Sequence, residues 1–117
     1  MKLTDERLIQ LANEVVSARP EELCYGNSDI MGAAEELHRY LYSDGMEIGP
    51  YQNILSTKLQ KELSDNEIKQ LDLLYTVAYL QCLARHDRVT DCFVRATCNG
   101  TLKKILVHYL ALASSEG

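Results

Sequence analysis

No stretch of this sequence is apolar for long enough to cross a bilayer, which takes about 20 residues. The most apolar run, Leu73 to Ala84, is shorter and is interrupted by Thr76 and Gln81. The N-terminus lacks the apolar segment of a secretory signal and turns acidic at Asp5 and Glu6, so the chain is expected in the cytoplasm and off the membrane. Basic residues are scarce: twelve lysines and arginines face seventeen acids, for a net charge of −5. That balance argues against general affinity for nucleic acid and makes a basic protein surface the natural counterpart. Internal repeats, low-complexity tracts and long linkers are absent, and one helical domain over residues 1–117 accounts for the chain. At this length a domain buries about two thirds of its unfolded surface, so folding requires neither a metal nor a disulfide.

Catalytic signatures are missing too. There is no nucleophile elbow, phosphate loop, dinucleotide fingerprint or metalloprotease helix, and general acid-base work would fall on His38, His86, His108 or ordinary surface carboxylates. A protein without enzymatic activity and without a cofactor is the expectation. The four cysteines, Cys24, Cys82, Cys92 and Cys98, are expected as reduced thiols, some of them packed as small apolar residues. One set resembles a metal site: Cys82 and His86 stand one helical turn apart, with Cys92 and Cys98 downstream, a ligand set zinc accepts. It has no C-x-x-C pair and no standard zinc spacing, so no metal is expected.

What the sequence does contain is helix punctuation, which predicts an all-α bundle of about five to six helices around a central apolar helix at about residues 65–85. Thr4 reads as the N-cap of a first helix whose buried stripe is Leu8, Leu11, Ala12 and Val15. Pro20 interrupts, and Gly26 to Asp29 break the chain and cap a helix that places Ile30, Ala34, Leu37 and Leu41 on one face. Asp44-Gly45 ends it, and Pro50 opens a third helix with Tyr51, Ile54, Leu55 and Leu59 on its apolar side. Ser64 and Glu67 form a capping box for the central helix, where Leu74→Asp is expected to unfold the protein. A shorter helix begins near Thr90, and Asn99-Gly100 separates it from a last one starting at Thr101.

Charge and aromatic usage point to function. Residues 1 to 49 hold ten acids and four bases, and residues 81 to 117 hold three acids and five bases. Seven tyrosines, one phenylalanine and no tryptophan favour the side chain that supplies both contact area and a hydroxyl. Met31, Glu35, His38 and Tyr42 fall along one stripe of the second long helix, and with Glu36, Glu47 and Tyr51 they form the expected partner-binding set. The expected function is a non-enzymatic protein-protein interaction module, an acidic helical inhibitor or regulatory adaptor that binds a basic partner surface. In size and charge this format matches accessory proteins of phages and mobile elements, without a residue-level match. A homodimer is the other partner class expected.

The alternative is a small helix-turn-helix-like DNA-binding regulator using residues 90–109. Ala96 and Gly100 have the spacing of such a turn, and Thr101, Lys103, Lys104 and His108 would contact nucleic acid. Arg95 stands where a buried apolar residue is wanted, Leu102 and Val107 occupy the reading face, and only two lysines are available for phosphates.

Overall fold

A computed structural model describes residues 5–25, 29–43, 64–90 and 92–116 of the chain. Helix α1 (Glu6–Ser17) is capped by Asp5, whose Oδ1 accepts the Arg7 N–H at 2.8 Å. The cap sits one residue after the expected Thr4, which lies outside the described residues. Leu8, Leu11, Ala12 and Val15 are buried as their spacing predicts.

After the single turn α2 (Pro20–Leu23), β1 (Cys24–Tyr25) pairs antiparallel with β2 (Asp29–Ile30), Cys24 opposite Ile30. The expected start of the next helix at Ile30 is therefore corrected. Met31 donates its N–H to the Leu23 carbonyl at 2.9 Å, Gly32 turns with φ at +60°, and α3 runs over Ala33–Ser43. The turn needs glycine twice over: its φ is left-handed, and a Cβ would stand 3.1 Å from the Glu22 carbonyl oxygen. Ala34, Leu37 and Leu41 point inward as expected. The helix expected to open at Pro50 falls outside the described residues.

The central helix expected over residues 65–85 is two helices, α4 (Asp65–Lys69) and α5 (Leu73–Thr90). The capping box is present, with Ser64 Oγ accepting the Glu67 N–H at 3.2 Å and Glu67 Oε1 accepting the Ser64 N–H at 3.1 Å. The helix stops after one turn because Leu71 donates to the Ile68 carbonyl at 3.1 Å and Asp72 starts a new cap, its Oδ1 accepting the Tyr75 N–H at 2.8 Å. Ile68 and Leu71 are both buried, which anchors the break.

Every residue of α5 from Thr76 to Ala84 is buried, including the polar Thr76 and Gln81. Thr76 satisfies its hydroxyl by donating to the Asp72 carbonyl at 2.7 Å. Leu74, expected in the core, is 38% exposed on the outer side of the first turn, so its substitution is not a core substitution. Helices α6 (Cys92–Asn99) and α7 (Thr101–Glu116) follow, divided by Gly100 at φ +89°, a full break rather than a kink. The β-branched α6 segment is helical because one face is held in the core by Phe93, Ala96 and Thr97, and packing overrides its weak propensity. Helix α1 lies on α3 and α7, α3 lies on α5, and α5, α6 and α7 pack pairwise. The radius of gyration is 12.8 Å, close to the value of about 13 Å for a folded domain of this length.

Cys24 and Cys98 are joined in a disulfide with their Cα atoms 5.5 Å apart, tying β1 to the end of α6. This corrects the expectation of four reduced thiols. The partners are 74 residues apart, and their meeting is set by tertiary packing rather than by spacing. Cys82 and Cys92 remain as buried free thiols, as expected of small apolar residues. Among the described residues no helix is long and apolar enough to cross a membrane.

Candidate docking face

Helix α3 presents two contrasting sides. Its inner side is closed by Ala34, Leu37 and Leu41, whereas Met31, just before the helix, and Tyr42, near its end, leave large apolar groups at the surface, 37% and 41% exposed. Between them the His38 ring meets the buried Phe93 at a steep angle, ring centroids 4.9 Å apart, and Tyr42 lies near parallel to the imidazole at 6.1 Å. The stacking runs from the core through His38 to Tyr42, so the tyrosine ring is positioned by a side chain that is itself fixed. Such an aromatic loses little freedom on meeting a partner.

The acids of this side are engaged with arginines. Glu35 pairs with Arg39 one turn along α3, Glu36 reaches Arg7 of α1 at 3.7 Å, and Arg19 lies 3.6 Å from Glu21 and 3.0 Å from Glu22. The Arg19 backbone N–H and then its guanidinium hold the Glu22 carboxyl below the usual carboxylate range. All these pairs are solvent-exposed, a setting in which an ion pair is worth about 0–1 kcal/mol and can be exchanged for a partner's charge. Tyr40, two residues before Tyr42 on α3, donates its hydroxyl to Asp5, joining α3 to the α1 cap. That hydrogen bond, followed by the N–H groups of Arg7 and Leu8, lowers the Asp5 carboxyl below its ordinary value against the opposing effect of burial. Glu47, Tyr51 and the Tyr25 side chain lie outside the described residues.

The structure dismantles the resemblance to a zinc site. Cys98 is consumed by the disulfide, Cys82 is fully buried, and the Cys92 thiol donates to the Leu83 carbonyl at 3.3 Å. No group of three His, Cys, Asp or Glu among the described residues is placed to hold a metal ion. Cys82 and His86 stand one helical turn apart on α5, and among the described residues no third ligand converges on them.

The residues expected to read DNA make contacts within the fold. Helix α7 is flanked by α1, α4, α5 and α6, and Leu102 is fully buried. Lys103 donates to the Ala18 carbonyl at 3.2 Å, Lys104 pairs with Asp65 at 3.1 Å, and His108 Nε2 meets the Leu71 carbonyl at 2.7 Å. Thr101 is half-buried at the start of α7, its N–H taken by Asn99 Oδ1 at 2.9 Å. Lys103, Lys104 and His108 instead line a groove against α4, an arrangement that sequence reasoning missed. Its walls come from two helices more than thirty residues apart, and only the lysines on both of them hinted at it. No family model, curated protein or solved structure matches this chain.

Proposed function

We propose that the protein is a non-enzymatic interaction module, an inhibitor or regulatory adaptor that docks the outer side of α3 on a basic surface of a partner protein. The observation that carries this reading is the pairing of exposed Met31 and Tyr42 with the carboxylates of Glu35 and Glu36 on a helix whose opposite side is fully buried. Exposed aromatic and thioether groups beside carboxylates suit a partner that offers arginine or lysine around an apolar pocket. His38 supports the strip from behind and is not itself an exposed contact. Arg7 and Arg39 keep Glu35 and Glu36 partly compensated in the free protein, and a partner's cations replace them on binding.

The charge and the apolar pattern suit a cytoplasmic site of action, whereas the Cys24–Cys98 disulfide weighs against it, toward a compartment that does not reduce the bond. DNA reading draws less support, because the lysines of α7 are directed to α1 and α4.

The test is capture from source-cell lysate on the immobilised full chain, half of it nuclease-treated, eluted in steps of increasing salt. One stoichiometric protein that resists nuclease and leaves with salt is expected. Tyr42→Ala, and separately Glu35→Lys with Glu36→Lys, should release it. Retention of the same protein by all variants would remove α3 from the account, and sedimentation of the chain alone separates a homodimer from a partner of a different kind.

A further inference from the structure

We propose that the groove between α4 and α7 binds a small amphipathic anion, an apolar chain or ring that ends in a carboxylate. The groove has a volume of about 570 Å³, within the range of about 300–1,000 Å³ typical of small-molecule sites. Its apolar surface comes chiefly from Val107 and Ala111 of α7, over the buried Ile68 of α4, with Val107 the most exposed large apolar side chain among the described residues at 51%. An apolar residue left this open on a helix that is otherwise packed on several sides is a surface that gains from being covered.

The polar surround is cationic in an acidic protein. Lys69, Lys103 and Lys104 line the groove against a single carboxylate, Asp65. Lys104 and Asp65 form an exposed pair at 3.1 Å, weak enough for a ligand carboxylate to displace the aspartate. Lys103 is steadied at the α1 side by the Ala18 carbonyl. The groove reaches Gly100, where the sixteen-residue α7 begins and its dipole favours an anion. A Cβ at Gly100 would meet no atom within 4 Å, so this end is open space. His108 forms part of the wall, and because its Nε2 faces a carbonyl, which only accepts, that nitrogen carries the hydrogen and the ring is fixed.

From Gly100 to Ala111 the groove follows α7 for about 16 Å, the length of a medium-chain acyl group. The carboxylate sits toward the Gly100 end beside Lys104, and the apolar part runs along Val107 and Ala111. An inorganic anion has nothing to place against the apolar side, and a neutral alcohol offers the lysines an acceptor without a charge.

Decanoate is the probe, titrated calorimetrically into the full chain, with decanol as its uncharged counterpart. Decanoate is expected to saturate one site, with decanol weaker by about tenfold or more, since the charge-assisted hydrogen bonds are lost. Val107→Asp should weaken decanoate by at least about tenfold by setting a carboxylate against the chain. Lys69→Gln with Lys104→Gln should narrow the gap between decanoate and decanol. Circular dichroism monitors folding of each variant, and Tyr42→Ala, on the other face, should bind decanoate as the parent does. No uptake of decanoate up to millimolar concentration, equal affinity for decanol, or uptake that both groove variants leave unchanged would overturn the proposal. So would a dimer in sedimentation that Val107→Asp dissociates while decanoate fails to bind, which would give the groove to a second copy.

Discussion

Helices α5 and α3 adjoin one another, yet they divide labour as differently as two helices of one small protein can. Nine consecutive residues of α5 are buried, so each side chain there is committed to packing and none is left to meet anything outside. Helix α3 buries Ala34, Leu37 and Leu41 and keeps Met31 and Tyr42 at the surface, with a core-anchored imidazole behind the tyrosine. The difference teaches where evolution can write function on this scaffold: a helix enclosed on all sides specifies the fold, and a half-open helix can carry recognition without loosening it.

The largest expected effect tests the closed member of the pair. Leu80 is fully buried in α5, and Leu80→Asp should abolish folding, a loss of more than about 4 kcal/mol from placing an unpaired carboxylate in the core. Urea unfolding followed by circular dichroism reads it directly, and a cooperative transition near the parent's midpoint would mean that α5 is not enclosed as described. Next comes the tether between the two halves. Removing the Cys24–Cys98 bond by Cys24→Ser with Cys98→Ser should cost about 2–4 kcal/mol through the freed unfolded chain, with the helix content retained. If parent protein with and without reductant melts at one temperature, the bond contributes nothing in solution.

A smaller effect separates α3's inward tyrosine from its outward one. Tyr40→Phe deletes the hydroxyl that Asp5 accepts and should cost about 1 kcal/mol, whereas Tyr42→Phe should be neutral. The Asp5 carboxyl is lowered from its ordinary value of 3.8, so its contribution is complete above that pH and is lost as pH falls through the folded value. The gap between parent and Tyr40→Phe should thus be present at neutral pH and close in strong acid. A gap that persists at the lowest pH would assign the effect to packing. At the other extreme, burial pushes the Tyr109 hydroxyl up to about 12. Its neutral form stabilises the fold fully below the ordinary value of 10 and the benefit is lost as pH rises through 12. Alkaline unfolding should begin above pH 10, and Tyr109→Phe should flatten it.

The local signals in the sequence were legible because their causes are local. The buried stripe of α1, the inner face of α3, the Ser64–Glu67 capping box and the Gly100 break each depend on residues within a turn or two of one another. The features that were not legible depend on what lies across the fold. The need for glycine at position 32 comes partly from the Glu22 carbonyl, which packs against the turn ahead of α3. The meeting of Cys24 with Cys98 and the assembly of the α4–α7 groove likewise leave no mark in spacing. On the docking face, Glu35, His38 and Tyr42 of the expected stripe fall on α3, whereas Met31 precedes the helix. The contact of His38 with Phe93, and the arginines that meet the acids, were not legible.

The smallest expected effect is the one that sharpens the comparison most, because it lies within α5 itself. Leu74 and Leu80 are the same residue type in the same apolar run, and periodicity gives no ground to treat them differently. The structure does: Leu74 is 38% exposed in the first turn and Leu80 is fully buried. Leu74→Asp leaves its carboxylate in water, near the N-terminal end of the helix where the dipole favours an acid, so its cost should stay below about 1 kcal/mol. Burial becomes continuous at Thr76, two residues beyond Leu74, and that is where α5 passes from surface to core. Should Leu74→Asp unfold the protein as Leu80→Asp does, some other part of the assembled protein must cover that first turn, and α5 would be closed from its start.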